Sequence, residues 1–150
     1  MNREGHVGFT LAVVGSILYL LDLVNTRYFM VLMLSAVFSM LPDIDLKLEI
    51  AHRKHTHNIF IALSLSIAIG LPLHLAGLDF IVGFTSCLAG LLSHIAGDLL
   101  TYMEFPPLWP LVKKEVSLKL FKSNSKPANK LFLALGIAVL IAYALKMVET

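Results

Sequence analysis

Two aspartates and three histidines lie within fifteen residues of the sequence, in the stretch LPDIDLKLEIAHRKHTHN (41–58). They are Asp43, Asp45, His52, His55 and His57. Carboxylate and imidazole groups together are the ligands that Zn²⁺, Mn²⁺ or Fe²⁺ take in proteins, whereas Ca²⁺ and Mg²⁺ prefer oxygen alone. Because long apolar runs flank the stretch on both sides, its composition indicates a metal site at the ends of apolar helices.

Further candidate ligands occur in other parts of the chain, at His6, His94 and Asp98. His94 and Asp98 are four residues apart, so on a helix they share one face with their Cβ atoms about 6 Å apart. Such a pair could bind one ion or bridge two. Each feature alone has a simpler explanation: a His–Asp hydrogen bond within a helix bundle, a turn after Pro42, or a solvated histidine-rich loop. The convergence of three such features favours the metal site.

The composition is that of a membrane protein rather than a soluble domain. Mean hydropathy is +0.80 and charged residues make up 15% of the chain, against about 25% in soluble proteins. The net charge of +2 is too small to indicate a nucleic-acid partner. Cys87 is the only cysteine, which excludes an internal disulfide and a cysteine-cluster metal site.

The apolar residues form five segments separated by Pro, Gly or charged residues, which is typical of helix ends. We therefore predict one all-α domain over residues 1–150, a polytopic membrane helix bundle. Its helices should cover residues 7–24, 28–41, 58–78, 80–100 and 131–148, each crossing the bilayer. A long connection covers 101–130, and its basic part, KKEVSLKLFKSNSKPANK (113–130), could be a short hairpin or a segment lying on the membrane. Its YMEFPPLWP stretch suits the level of the lipid headgroups, where Trp and Tyr concentrate.

The distribution of basic residues predicts the orientation. With five crossings and a cytoplasmic basic loop, the N-terminus is inside, the C-terminus is outside, and only Arg27 and Lys146 lie on the outer side. The other ten of the twelve Lys and Arg residues lie on the cytoplasmic side, as the positive-inside rule requires: Arg3, Lys47, Arg53, Lys54, Lys113, Lys114, Lys119, Lys122, Lys126 and Lys130. The candidate ligands took no part in this assignment, yet they fall on the same side. The predicted site therefore faces the cytoplasm at the cell's inner, or plasma, membrane.

Five short motifs follow one another along the chain: GH at 5–6, LPDID at 41–45, HRKHTH at 52–57, SHIAGDLLT at 93–101 and PPLWP at 106–110. In this order they resemble the YdjM-type family of membrane-bound, metal-dependent hydrolases, over nearly three-quarters of the chain. The chain departs from the family at Asn58, where Ser is common, but Asn can also cap a helix. The resemblance implies a small helical membrane protein with metal ligands at His6, Asp43, Asp45, His57, His94 and Asp98.

The favoured function is metal-dependent hydrolysis of a phosphoester, with a phospholipid head group as one candidate substrate. Six ligands exceed the needs of one tetrahedral ion, so two ions, Zn²⁺ or Mn²⁺, could share a carboxylate and activate a water molecule. His52 and Arg53 match the third family motif and are the predicted catalytic residues, while His55 falls outside the motif positions and is expected to be exposed. The predicted substrate-binding residues are Arg53, Lys54, Thr101 and Trp109. Membrane lipids are the expected partners, and nucleic acid is not.

Two other functions remain open. Histidines and aspartates within membrane helices often mark the path of a metal ion or proton, which would indicate a transporter. Against this, the polar residues cluster near one interface, and the sequence lacks the paired broken helices of many transporters. The third function is a membrane interaction protein whose metal site is structural, with closed coordination.

Overall fold

The computed structural model of the chain describes residues 1–44 and 57–149. Within these residues it contains five α-helices, one short 3-10 helix and no β-strand, which confirms the predicted all-helical class. The elements are α1 (Arg3–Leu20), α2 (Thr26–Phe38), the 3-10 helix (Pro42–Ile44), α3 (Ile59–Leu75), α4 (Phe80–Leu99) and α5 (Lys126–Glu149).

Side-chain caps begin the first four α-helices. An Asn or Asp side chain accepts a hydrogen bond from a backbone N–H of the first turn, which would otherwise lack a partner. The cap of α3 is Asn58, whose side chain accepts from the Ile61 N–H at 2.9 Å. The departure from the family motif at Asn58 therefore preserves the cap. The other three capping residues are Asn2, Asn25 and Asp79.

Left-handed residues end α1 and α3. Asp22 has φ +58° and Gly77 has φ +93°, the conformation that commonly follows the last turn of a helix. Beyond Asp22, the Leu23 N–H donates to the Leu18 carbonyl at 2.9 Å. This bond satisfies a carbonyl at the end of α1 and ends the helix, although apolar residues continue in the sequence.

The observed helix limits differ from the predicted ones mainly at polar residues. α1 begins at Arg3 rather than residue 7, and α5 begins at Lys126 rather than residue 131. Apolar runs mark the part of a helix that avoids water, whereas capping sets where the backbone becomes helical. Pro127 in the first turn of α5 costs no hydrogen bond, because the first N–H groups of a helix have no partner within it.

Consecutive α-helices run in alternating directions, so α1, α3 and α5 begin at the same end of the bundle. At the opposite end Lys146 pairs with Asp22 at 2.6 Å, and Arg27 pairs with Asp79 at 2.7 Å. α4 lies at the centre, in contact with α1, α2 and α3, while α5 packs along α1. The end at which α1, α3 and α5 begin is called the N-terminal end below.

Two clusters of buried apolar residues form the core. One joins α1, α2 and α5 around Leu32 and Tyr143, and the Tyr143 hydroxyl donates to the Leu23 carbonyl at 2.7 Å. The other joins α3 and α4 around Cys87 and includes Phe105. Cys87 is fully buried and free of disulfide, so it packs as a small apolar residue.

Two helices are long and apolar enough to cross a bilayer, α4 and α5, and an 18-residue stretch of α5 has a mean hydropathy of 2.4. α5 buries little of its surface inside the protein, so most of its apolar side chains face outward. α2 and α3 are apolar but have 13 and 17 residues, and a 13-residue helix is about 20 Å long, against a hydrocarbon core of about 30 Å. The fold therefore supports two of the five predicted spans by length and composition.

The connection between α4 and α5 folds back on itself. Phe105 and Val116 form an antiparallel bridge, with the Val116 N–H donating to the Phe105 carbonyl at 3.0 Å, and Thr101 is bridged to Phe121. The Trp109–Pro110 peptide bond is cis. The chain reverses between Phe105 and Val116, mostly before the basic stretch 113–130, and the Thr101–Phe121 bridge is parallel. A position of the basic stretch on the membrane stays a prediction. Residues 101–125 are called the hairpin segment below.

α1 and α5 approach so closely that their backbones touch at two glycines. A Cβ atom at Gly136 would meet the carbonyl oxygen of Gly8, and one at Gly8 would meet the backbone of Leu133. Small residues allow this approach in membrane helices, where association depends on close packing rather than on the hydrophobic effect.

Gly136→Val should therefore force the two helices apart. Overpacking typically costs about 1–3 kcal/mol, and contact with backbone leaves no side chain that can move aside. We expect a clearly lower thermal unfolding midpoint in detergent. Ala138→Val, on an exposed position of α5, is the matched control and should leave the midpoint unchanged. Equal midpoints for the two variants would contradict the close contact.

Candidate metal centre

Five of the predicted ligand side chains meet at the N-terminal end of the bundle. α1 supplies His6, the 3-10 helix supplies Asp43, His57 precedes α3, and α4 supplies His94 and Asp98. His6, His57, His94 and Asp98 are buried, and Asp43 keeps 16% of its side chain exposed. Residues far apart in the sequence therefore form one compact polar cluster.

Asp98 lies at the centre of this cluster, and its two carboxylate oxygens face different partners. Oδ1 lies 3.3 Å from His6 Nε2 and pairs with the amino group of Met1. Oδ2 lies 3.4 Å from His57 Nε2 and 3.7 Å from His94 Nε2. Asp98 therefore contacts two groups of side chains, one through each carboxylate oxygen.

Hydrogen bonding to the backbone fixes the orientation of the His94 ring. Nδ1 lies 2.6 Å from the carbonyl oxygen of Ser39, an acceptor, so Nδ1 carries a proton and donates. In the neutral ring Nε2 then presents its lone pair to the cluster, 3.0 Å from His57 Nε2 and 3.7 Å from Asp43 Oδ1. A backbone carbonyl that orients a histidine in this way is typical of metal-binding imidazoles.

The His6 ring is buried without hydrogen bonds to the described residues. Its ring stacks on that of His94, with centroids 3.7 Å apart and planes inclined by 11°. Both ring nitrogens of His6 are buried, and neither makes a hydrogen bond to any described residue. Because buried polar atoms are nearly always satisfied, this ring fits a bound cation at Nε2.

The distances are compatible with metal coordination. Two sets of ligand atoms each lie within 4.8 Å of one another: His6, His94 and Asp98, and Asp43, His57 and His94. Ligand atoms of one Zn²⁺ ion, each about 2.0–2.1 Å from the metal, lie about 3–3.5 Å apart. The cluster can therefore hold a metal ion, with His94 common to both sets.

Small residues position the helices that carry these ligands. A Cβ atom at Gly90 of α4 would lie 2.5 Å from the Ser35 carbonyl oxygen and 2.8 Å from Phe38 Cβ. Without it, the end of α2 approaches α4 closely enough for Ser39 to accept from His94. One residue before His94, Ser93 Oγ lies 2.7 Å from Thr10 Oγ1 and links α4 to α1.

Asn129 holds the start of α1 against α5. Its Oδ1 accepts from the Asn2 N–H at 3.2 Å, and its Nδ2 donates to the carbonyls of Ser123 and Ser125 at 3.0 and 2.8 Å. A Cβ atom at Gly5 would overlap the Asn129 side chain. These contacts set the position of the first turn of α1 and hence of His6.

The hairpin segment covers His57. The Phe105 ring packs edge-on against the His57 ring with centroids 6.0 Å apart, and the Ile59 N–H donates to the Pro107 carbonyl at 3.0 Å. The PPLWP motif therefore holds the start of α3 in place. Trp109, a predicted substrate-binding residue, is half-buried at the turn of this hairpin.

Thr101, another predicted substrate-binding residue, lies next to the cluster but faces away from solvent. It is fully buried, and its hydroxyl donates to the Asp98 carbonyl at 2.9 Å. Such a bond satisfies a carbonyl at the end of α4. Thr101 therefore stabilises the last turn of α4, the helix that carries Asp98.

Five of the six predicted ligands are thus brought together, and Asp45 lies outside the described residues. His52, Arg53, Lys54 and His55 lie outside them too, and their predicted roles stay predictions. His94 and Asp98 do not bond each other directly, because Nε2 and Oδ2 lie 3.7 Å apart, beyond hydrogen-bond length. The contributions of Ser39, Phe105 and Asn129 were missed; Ser39 acts through its backbone and leaves no signature in the sequence.

A protein-family model described as YdjM inner membrane protein matches residues 1–149. The chain belongs to this family. Membership in the YdjM family agrees with the two helices that are long and apolar enough to cross a bilayer. No curated protein and no solved structure matches the chain. The clustered histidines and aspartates lie on the motifs by which the sequence resembles the YdjM family.

Replacing His94 should remove metal from the purified protein, because both sets of ligands use this residue. Loss of an outer-shell partner typically weakens metal affinity about 10–100-fold. Because His94 is a candidate ligand itself, we expect His94→Ala to weaken Zn²⁺ or Mn²⁺ binding by more than that. Metal per polypeptide, measured by inductively coupled plasma mass spectrometry after dialysis, tests this. His74→Ala, on an exposed histidine at the opposite end, should keep the metal of the unaltered chain. Equal metal content in both variants would contradict the site.

Proposed function

We propose that the protein is a metal-dependent hydrolase that cleaves a phosphoester at the cytoplasmic face of the inner membrane. The supporting observation is the two sets of ligands that share His94 and surround the Asp98 carboxylate. Burying a carboxylate at the end of an apolar membrane helix costs free energy, and residues of this kind commonly mark a functional site. The resemblance of the motifs to membrane-bound hydrolases points the same way.

The arrangement would suit two ions, with Asp98 contributing to the binding of both. The unprotonated Nε2 of His94 has one lone pair and can bind one ion, whereas the two oxygens of Asp98 can bind different ions. His57, His94 and Asp43 would hold one ion together with Oδ2, and His6 would contribute to the second together with Oδ1. When bound, Zn²⁺ or Mn²⁺ would supply Lewis acidity at the phosphoryl oxygens and an activated water molecule.

Charge complementarity supports a phosphorylated substrate. With neutral imidazoles, Asp43 and Asp98 contribute two negative charges to the cluster, so two divalent ions would leave a net positive charge. A phosphate group is attracted to such a centre, whereas a neutral ester is not. Arg53 and Lys54, close in sequence to Asp43, are proposed to bind phosphate oxygens, with His52 and Arg53 as the catalytic residues.

Asp43 is proposed to mark the entrance for the substrate. Among the five clustered side chains it is the one with appreciable exposure, 16%. A substrate that arrives from this side would meet Asp43 before the buried histidines. Thr101 is proposed to position Asp98 rather than to contact substrate, because its hydroxyl donates to the Asp98 carbonyl.

The proposed orientation rests on the basic residues. The hairpin segment and the start of α5 carry Lys113, Lys114, Lys119, Lys122, Lys126 and Lys130, whereas Arg27 and Lys146 lie at the opposite end. An excess of Lys and Arg marks the cytoplasmic side of a membrane protein. We infer that the cluster faces the cytoplasm and that all five α-helices cross or enter the membrane.

One observation favours a second function, a structural metal site. His6, His57, His94 and Asp98 are almost fully buried, as in closed coordination spheres that hold a fold together. A structural ion would stabilise the bundle without an open position for water. A transporter is less well supported, because the ligands gather at one end of the bundle rather than near the middle of the membrane.

Hydrolysis should depend on Asp98. The full chain in lipid nanodiscs, supplied with Mn²⁺ or Zn²⁺, should hydrolyse a member of a panel of phosphomonoesters and phospholipids. Asp98→Asn keeps the shape but removes the charge, and we expect the rate to fall by about 100-fold or more. Asp79→Asn, on an exposed carboxylate at the opposite end, is the matched control and should keep the rate.

Chelation separates the two candidate functions. For a hydrolase, metal removal should abolish turnover while circular dichroism shows intact helices, and added metal should restore the rate. For a structural site, no substrate in the panel should be turned over by fully loaded protein, although metal removal lowers the unfolding midpoint. The second result would overturn the proposed hydrolysis.

The orientation is tested by labelling single cysteines in a Cys87→Ser background. With the N-terminal end inside, Glu115→Cys in the hairpin segment should react with an impermeant maleimide only after the cells are opened. Ala76→Cys, at the end of α3, should react in intact cells. Both positions are exposed, so the chemical reactivity of the two thiols is comparable. The reverse pattern would place the metal centre outside.

A further inference from the structure

The hairpin segment exposes an unusual number of large apolar side chains for a connection between helices. Leu111 is 76% exposed, Leu118 62% and Leu120 64%. Tyr102, Met103 and Leu108 are exposed as well. The metal centre uses none of these side chains. Exposed groups of large apolar residues in a folded protein mark a surface that contacts another apolar phase.

The level of this surface is fixed by backbone hydrogen bonds to the end of α4. The Leu118 N–H donates to the Leu99 carbonyl at 2.7 Å, and the Leu120 N–H donates to the Leu100 carbonyl at 3.0 Å. α4 ends at Leu99 and is one of the two helices able to cross a bilayer. Leu118 and Leu120 therefore lie level with the end of α4.

Basic residues alternate with these apolar ones in the same segment. Lys113 and Lys114 follow Leu111, and Lys122 follows Leu120. Lys122 also lines an open groove of about 460 Å³ with Tyr102, Met103, Ser123 and Asn124. A cation beside hydroxyl and amide groups, next to an exposed thioether, suits a phosphate head group with an acyl chain attached.

We propose that the hairpin segment lies on the membrane as an interfacial anchor that binds anionic phospholipids. Leu111, Leu118 and Leu120 enter the boundary between headgroups and acyl chains, and the lysines contact lipid phosphates. Such surfaces bind through buried apolar area together with attraction to anionic lipids. Because Phe105 and Pro107 of the same segment contact His57 and Ile59, this anchor holds the metal centre at headgroup depth. The inference depends on membrane insertion and not on hydrolysis.

Trp109 reports on this surface directly, since it is the only tryptophan and lies in the hairpin between Leu108 and Leu111. The full chain is reconstituted in vesicles whose lipids carry bromine at the headgroup end or deep in the acyl chain. We expect strong quenching of Trp109 fluorescence by the shallow bromines, weak quenching by the deep ones, and protection from acrylamide in the water. Anionic phosphatidylglycerol should strengthen the shallow quenching relative to phosphatidylcholine.

Two sets of variants separate the apolar and charged contributions. Leu111→Ser should lose most of the shallow quenching and make Trp109 accessible to acrylamide. Lys113→Gln with Lys114→Gln should lose the preference for phosphatidylglycerol and keep most of the quenching in phosphatidylcholine. Leu75→Ser, on a leucine that is 80% exposed at the end of α3, is the matched control and should change neither. Circular dichroism confirms that each variant is folded.

Two results would overturn the inference. Trp109 that is open to acrylamide and insensitive to bromine at either depth would place the segment in water, as expected for a surface that binds a soluble protein. Quenching that is equal in both lipids and unchanged by Leu111→Ser would show that the segment does not contact the leaflet through these side chains. Neither result depends on whether the metal centre turns over a substrate.

Discussion

The buried carboxylate of Asp98 is the constraint on which the rest of the bundle depends. An ionised group in the last turns of an apolar helix costs several kcal/mol unless other groups surround and satisfy it. No single neighbouring helix could do this. α1 supplies His6, the segment before α3 supplies His57, and α4 itself supplies His94. Only alternating helix directions bring the starts of α1 and α3 to the end of α4, so the topology and the polar cluster require each other.

Precise placement of these groups depends on residues that carry no functional side chain. In a bilayer, apolar side chains gain nothing from leaving water, so helix contacts rely on close packing and hydrogen bonds. Gly8 and Gly136 let α1 and α5 touch, and Gly90 lets α2 approach α4. The second contact brings the Ser39 carbonyl to His94 Nδ1 at 2.6 Å. An added methyl group at Gly90 would therefore displace His94 within the polar cluster.

The sequence was sufficient for the number and class of the described helices and for five side chains that meet in one cluster, for identifiable reasons. Apolar runs of helical length define the elements, and the i,i+4 spacing places His94 and Asp98 on one face. The alternating helices, oriented by the Lys and Arg residues, then assign His6, Asp43 and His57 to the same end. The helix limits were less predictable, because they depend on capping residues and on the left-handed conformation of Asp22. A helix can therefore begin before an apolar run or end inside it.

Contacts between distant elements were the least predictable part. Asp22 and Arg27 are close in the sequence and carry opposite charges, but the turn after α1 directs Asp22 to Lys146 of α5 and leaves Arg27 to Asp79. The role of Asn129 as a clamp between the first turns of α1 and α5 depends on a crossing that local patterns do not specify. Sequence patterns are local, whereas these contacts follow from how complete helices pack against one another.

The two ends of the bundle stabilise it in different ways. At the opposite end the Arg27–Asp79 and Lys146–Asp22 pairs are partly exposed, and such pairs contribute about 0.2–1 kcal/mol each. At the N-terminal end the polar groups are buried, and His6 lacks a hydrogen bond to the described residues, which lowers stability. A cation that binds the folded cluster and not the unfolded chain would offset this cost in proportion to the logarithm of its concentration relative to its dissociation constant. The ions proposed for chemistry would therefore also hold α1, α3 and α4 together, so the same cluster can combine structural and catalytic roles.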